Sequence, residues 1–154
     1  MKKHILRIVA ILFVGLVASL AANGLRPTGG IKVLRPSAEA LALQAGITPI
    51  HLDTAKLLLE NKKVLFLDAR PANVYKRGRI PGSSNFPEED FAERIKAFKD
   101  TVPLDRPIVT YCSGEECRAS ELLAKELQQA GYKYIHLFFG GWVEWTQAKE
   151  RIEK

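Results

Sequence analysis

Histidine and cysteine are scarce in this 154-residue chain, with three of the former and two of the latter. His4, His51 and His136 are scattered, without metal-ligand spacing among themselves or with the cysteines, so no metal site is expected. No internal repeat and no low-complexity run occurs. The charged fraction of 26% beside 47% hydrophobic residues rules out wholesale disorder and collagen-like character. A clustered basic stripe is missing as well: Lys96, Lys99, Lys125 and Lys133 are dispersed, which excludes a nucleic-acid binder in spite of a formal charge of +6. Acids are absent from positions 1–23, where Lys2, Lys3 and Arg7 supply three positive charges. The remainder holds 20 basic against 17 acidic residues, or +3, so half of the net charge sits in the leader. The length suits one domain of ordinary size.

That leader has a basic start followed by Ile8 to Leu25, 18 uncharged residues dense in Ile, Val, Leu and Ala. The pattern fits a secretory signal, with Ser19-Leu20-Ala21 offering small residues for cleavage, or an uncleaved membrane anchor approaching the ~20 apolar residues that span a bilayer. A buried core helix is disfavoured, because an apolar helix without a polar stripe needs protein on every side. The anchor is preferred, and the positive-inside rule then exports the rest of the chain, to a periplasmic or other extracytoplasmic location. Cleavage of the signal would instead release a secreted protein. The expected organisation is an anchor or signal over 1–25, a Pro/Gly-punctuated linker over 26–47, with a short helix near Ala38 to Ala45, and a globular domain over 48–154.

Within that domain the hydrophobic pattern alternates. His51 to Asn61, Glu88 to Lys99, Arg118 to Ala130 and Gly141 to Arg151 carry helical spacing, and Pro71 to Lys76 suits a single turn. Val64 to Leu67, Ile108 to Tyr111 and Tyr134 to Phe138 are short apolar runs of the kind buried on both faces of a sheet. The acids Glu88, Glu89 and Asp90 suit a helix N-terminus, where they cap rather than catalyse. Trp142 and Trp145, three apart on one helical face, read as core. Alternation of strands and helices predicts an α/β fold with a parallel sheet between helical layers. Ligands in such folds bind beyond the carboxyl ends of the strands.

Cys112 sits at one of those ends. In Tyr111-Cys112-Ser113-Gly114-Glu115-Glu116-Cys117-Arg118, a cysteine between a buried strand and a helix faces free N–H groups and a positive helix dipole, which favour the reactive thiolate. Gly114 lets the loop curl into an anion-binding nest, and Arg118 adds a positive charge or binds loop carbonyls. On spacing alone a nucleophile and a small buried strand-ending residue remain equal readings.

Asp68-Ala69-Arg70, Tyr75, Gly78-Arg79-Ile80-Pro81-Gly82-Ser83 and Asn85 resemble the rhodanese signature in register, and Gly140-Gly141-Trp142 with Trp145 resembles the family's closing motif. The resemblance covers roughly Thr48 to Ala148. It implies a rhodanese-like three-layer α/β/α fold with a mostly parallel central sheet, here preceded by the N-terminal apolar helix. It also implies a sulfurtransferase without a cofactor, in which Cys112 takes a sulfane sulfur from a small donor such as thiosulfate and passes it to cyanide or a thiol. Ser113, Gly114, Glu115, Glu116, Cys117 and Arg118 would form the substrate-binding loop. No particular protein partner is implied.

Three departures matter. Arg79 stands where the family usually has histidine, and Val74 stands where an acid is usual, which would leave Arg70 without a salt-bridge partner. Five residues separate Cys112 from Arg118, one more than in the simplest sulfurtransferases and as many as in rhodanese-like phosphatases and arsenate reductases. Glu115 and Glu116 oppose an oxyanion in that cradle, and no general acid stands out for a leaving group. Sulfur transfer therefore ranks above phosphate chemistry. Cys117 opens a redox alternative, since its attack on a Cys112 persulfide would release sulfide and form a disulfide. A non-catalytic binding or sulfur-relay module is the remaining alternative.

Overall fold

Runs of four residues with alternating faces build the centre of the sheet in the computed structural model, which describes residues 42–114 and 117–154. β1 (Thr48–Ile50), β2 (Leu65–Asp68), β3 (Ser84–Asn85), β4 (Ile108–Tyr111) and β5 (Ile135–Phe138) lie in the order β1-β5-β4-β2-β3, and every pairing is parallel. The intervening helices are α1 (Leu52–Glu60), α2 (Ala72–Tyr75), α3 (Phe91–Thr101), α4 (Ala119–Gln129) and α5 (Gly141–Gln147), with a 3₁₀ turn at Glu88–Asp90 before α3.

Period-two alternation sorts the strand side chains into two cores. Leu67, Ile108, Ile135, Leu137 and Cys112 pack with Leu123, Ala124 and Leu127 of α4 and with Phe91, Ile95 and Phe98 of α3. Phe66, Val109, Tyr111 and Phe138 face the other way, toward Ala55 of α1 and Trp145 of α5. Burying each of these large side chains contributes roughly 1.5–3 kcal/mol, so both helical layers are held by the sheet's apolar faces. Ala42 and Ile47, in the stretch read as an arm, are also buried in the first core.

The sheet has five strands rather than the three that apolar runs reveal. β1 contains Pro49, and β3 is only Ser84 and Asn85; these edge strands carry no continuous apolar signal. The last helix is shorter than expected, because Lys149 takes a left-handed φ of 59° and the chain turns back. The acids before α3 form the 3₁₀ turn, and Asp90 makes no capping hydrogen bond from its side chain, so the expected cap is a matter of charge alone. Among the described residues no helix is long and apolar enough to cross a membrane. The apolar leader and its expected helix lie outside the described residues.

The strand order places the site. From β2 the chain moves outward to β3, and from β4 it moves to β5 on the opposite side. The connections leaving β2 and β4 therefore diverge, and a crevice opens between them at the strands' carboxyl ends. Asp68 and Tyr111 are paired there, and Cys112 follows Tyr111.

Candidate active site

One wall of the crevice is a buried polar network. Asp68 is fully buried at the end of β2, and its carboxylate accepts hydrogen bonds from the Arg70 backbone N–H (2.9 Å), Nε (2.9 Å) and Nη2 (2.6 Å). Arg70 Nη2 also donates to the Gly78 carbonyl at 2.8 Å, and its guanidinium lies 4.5 Å from the centre of the Trp142 ring. Burial works against this charge, but the Asp68 hydrogen bonds and charge outweigh it and hold Arg70 above its ordinary value. Val74 therefore does not leave Arg70 unpaired, contrary to expectation: Asp68, two residues away, is the partner. The Tyr111 hydroxyl lies 2.9 Å from Ser83 Oγ and accepts the Ile80 N–H at 3.2 Å. Burial first, then the Asp68 charge, push this phenol well above its ordinary value, so it stays protonated.

Arg79 has a role of its own. It exchanges two backbone hydrogen bonds with Glu153, its guanidinium pairs with the Glu153 carboxylate, and it lies 4.9 Å from the Tyr75 ring centre. The same carboxylate accepts the Gly82 N–H at 2.9 Å. Together the Gly82 amide and Arg79 hold Glu153 below the usual carboxylate range.

The other wall is the cysteine loop, which α5 positions. The first N–H groups of a helix lack partners inside it. Here Trp142 N–H donates to the Cys112 carbonyl and Val143 N–H to the Ser113 carbonyl, both at 2.8 Å. Gly141 permits this approach: it sits at φ +52°, and a Cβ on it would collide with the Cys112 carbonyl oxygen. Peptides are planar, and among the described residues all are trans. Pulling the Cys112 and Ser113 carbonyls toward α5 therefore turns the Ser113 and Gly114 N–H groups away from α5. Paired Gly140-Gly141 thus has a direct physical purpose at the site.

Cys112 is 1% exposed, and its side chain points into the first core. Its thiol donates to the Cys117 carbonyl at 3.0 Å, and Ser120 Oγ on the first turn of α4 donates to the sulfur at 3.2 Å. Burial, followed by the neighbouring Cys117 thiol, pushes Cys112 up to about 11, while Ser120 pulls the other way. The expectation that helix dipole and free amides favour the thiolate is therefore reversed. Desolvation outweighs the partial charges because the sulfur faces the core and a carbonyl. Both cysteines are free thiols.

Beside the loop lies a cavity of about 710 Å³, lined by Ser113, Gly114, Cys117, Gly140, Val143, Glu144 and Gln147. Three of the expected binding residues meet there: Ser113, Gly114 and Cys117. Arg118 does not join them; it is exposed at the N-cap of α4, and its carbonyl accepts the Leu122 N–H. Glu115 and Glu116 lie outside the described residues. Sequence reasoning overlooked Ser120 and the α5 lining. Gly140, Val143, Glu144 and Gln147 are spaced to share one helical face, a signal masked by the tryptophans on the opposite face. Trp145 is indeed core, and Trp142 packs partly buried against it.

Comparison with known proteins agrees with this architecture. The chain is 32% identical over 89 residues, 58% of its length, to an HTH-type transcriptional regulator of Mycobacterium tuberculosis, of which the match spans only 37%. It is 29% identical over 100 residues to the thiosulfate sulfurtransferase GlpE of Shewanella oneidensis, covering 64% of this chain and 93% of that one. A solved structure from Rhodopseudomonas palustris, a protein of unknown function described as a possible tyrosine phosphatase, superposes with a TM-score of 0.60 at 26% identity, covering 81% of this chain and all of that one. Residues 51–148 match the family model of the rhodanese-like domain, and the chain belongs to that family.

Proposed function

We propose that this protein is a sulfurtransferase that carries sulfane sulfur as a persulfide on Cys112. The observation that carries this reading is the placement of Cys112: a free thiol at the carboxyl end of β4, at the switch point of the sheet, in a loop whose Cys112 and Ser113 carbonyls are held by the first N–H groups of α5. Ser120 Oγ donates to that sulfur and is placed to do the same for a persulfide. Similarity to a thiosulfate sulfurtransferase over nearly its full length supports the same chemistry. The charge-poor leader, with its basic start and apolar run, supports display of the domain outside the cytoplasm, tethered by an uncleaved anchor.

A second reading is kept because the loop has five residues between Cys112 and Arg118 and because one structural relative is described as a possible phosphatase. Glu144 lines the cavity and is a carboxyl group there that sequence reasoning did not offer. Against this second reading, a thiol pushed up to about 11 is poorly suited to attack on a phosphate dianion.

The test is to incubate the reduced full-length protein with thiosulfate and with a low-molecular-weight persulfide, then locate added sulfur by mass spectrometry. Sulfur resting on Cys112 in the wild type and a fall in cyanide-dependent turnover in Cys112→Ser support the assignment. Hydrolysis of an aryl phosphate without any sulfur uptake would sink it.

A further inference from the structure

The cysteine that lines the cavity is Cys117, not Cys112. Cys112 is 1% exposed, with the Cys117 carbonyl, the Gly114 carbonyl and Ser120 Oγ at 3.0, 3.7 and 3.2 Å from its sulfur. Cys117 is partly exposed and lines the cavity beside Val143 and Glu144. The Cys112 sulfur lies 3.0 Å from the Cys117 carbonyl, so the two cysteines are immediate neighbours in the loop. A donor lodged in the cavity therefore meets Cys117 before it meets the buried Cys112.

Resting on the reading of Cys112 as the persulfide carrier, we infer that Cys117 is a second catalytic cysteine, which takes sulfur from a persulfide donor in the cavity and relays it inward to Cys112. In the first step the Cys117 thiolate attacks the outer sulfur of a donor R–S–SH. A Cys117–S–SH bond forms, the donor's S–S bond breaks, and R–S⁻ leaves and takes up a proton. In the second step Cys112, as thiolate, attacks the outer sulfur on Cys117. The Cys112 S–S bond forms as the Cys117 S–S bond breaks, and the proton given up by Cys112 passes to the departing Cys117 thiolate. One S–S bond replaces another at each step, so no oxidant or reductant is consumed. The exchange is between two cysteines, and the Ser120 hydroxyl, 3.2 Å from the Cys112 sulfur, favours the Cys112 end by donating to it. Burial then shields the stored sulfur from solvent thiols.

The experiment loads the reduced full-length wild type, Cys112→Ser and Cys117→Ser with glutathione persulfide, quenches with an alkylating agent, and reads both cysteines by peptide mass spectrometry over time. Expected are sulfur resting on Cys112 in the wild type, sulfur accumulating on Cys117 in Cys112→Ser, and loading of Cys112 slowed by about tenfold or more in Cys117→Ser, because access limits thiol exchange. Loading of Cys117→Ser at the wild-type rate, or no sulfur on Cys117 in Cys112→Ser, overturns the relay while leaving the Cys112 assignment standing. A Cys112–Cys117 disulfide as the wild-type product overturns it in favour of a redox cycle. No uptake by the wild type overturns relay and carrier together. Cys117→Ala, loaded in parallel, separates loss of the thiol from any effect of a serine hydroxyl.

Discussion

The two walls of the crevice are built on opposite principles. Around Asp68 and Arg70 nearly every polar atom has a partner inside the fold, and the signature turn from Gly78 to Ser83 is fastened by Tyr75, Tyr111 and Glu153. Around Cys112 the amides of α5 hold the Cys112 and Ser113 carbonyls, and the sulfur lies among the Ser120 hydroxyl and the Cys117 and Gly114 carbonyls beside a cavity. One wall uses its hydrogen-bonding capacity on itself, and the other keeps a thiol in reserve next to open space. The motif most easily read in the sequence is thus a scaffold, and the chemistry occupies the shorter and less distinctive loop.

Substitutions can break that contrast in order of size. Asp68→Ala leaves the Arg70 charge buried without its partner and is expected to cost about 3–5 kcal/mol, the usual penalty for breaking a buried pair. Urea unfolding measures it, and persulfide uptake per folded molecule should stay near the wild-type level. Gly141→Ala comes next. A left-handed φ alone costs roughly 1–2 kcal/mol for a residue with a Cβ, and here the Cβ also drives into the Cys112 carbonyl. Stability and sulfur uptake should fall together, whereas Gly82→Ala, at φ +72° with open space around it, should lose roughly 1–2 kcal/mol with uptake unchanged. Equal effects of the two glycines on uptake would erase the distinction between the walls.

Ser120→Ala is a milder probe of the reserve side. Its hydroxyl favours the thiolate, so removing it raises Cys112 above its value of about 11. Peptide-resolved alkylation of Cys112 against pH should then show a midpoint shifted upward, and slower modification at any pH below it. The smallest effect is expected from Glu153→Gln on the scaffold side. Glu153 is held below its ordinary value, so its contribution is present at neutral pH and lost as the pH falls through that lowered value. The stability difference between wild type and variant should therefore shrink on acidification. A difference that grew in acid would reverse the assignment.

These particulars also explain what the sequence made legible. Ile108 to Tyr111 is a buried four-residue run, so β4 and the cysteine at its end were evident. β1 and β3 were not, since a Pro-containing triplet and a Ser-Asn pair become strands only through their parallel neighbours. Ser113, Gly114 and Cys117, which meet at the cavity, were legible as part of one contiguous loop. Glu144 and Gln147 were missed because they enter the site through a tertiary docking, that of α5 on the Cys112 and Ser113 carbonyls. The state of the thiol was misjudged for a related reason: partial charges can be inferred from spacing, but the depth at which the sulfur is buried cannot.

The packing of Trp142 has an optical consequence. The chain has two tryptophans. Trp145 is 2% exposed, with its indole N–H bonded to the Arg151 carbonyl, far into the apolar core. Trp142 lies under the Arg70 guanidinium while its backbone N–H holds the Cys112 carbonyl. A movement of the cysteine loop must pass through the peptide of one indole and leave the other undisturbed. The protein therefore contains its own fluorophore and its own internal standard: the emission of a Trp145→Phe variant isolates the indole joined to the cysteine loop, and that of a Trp142→Phe variant isolates the core indole, without any added dye.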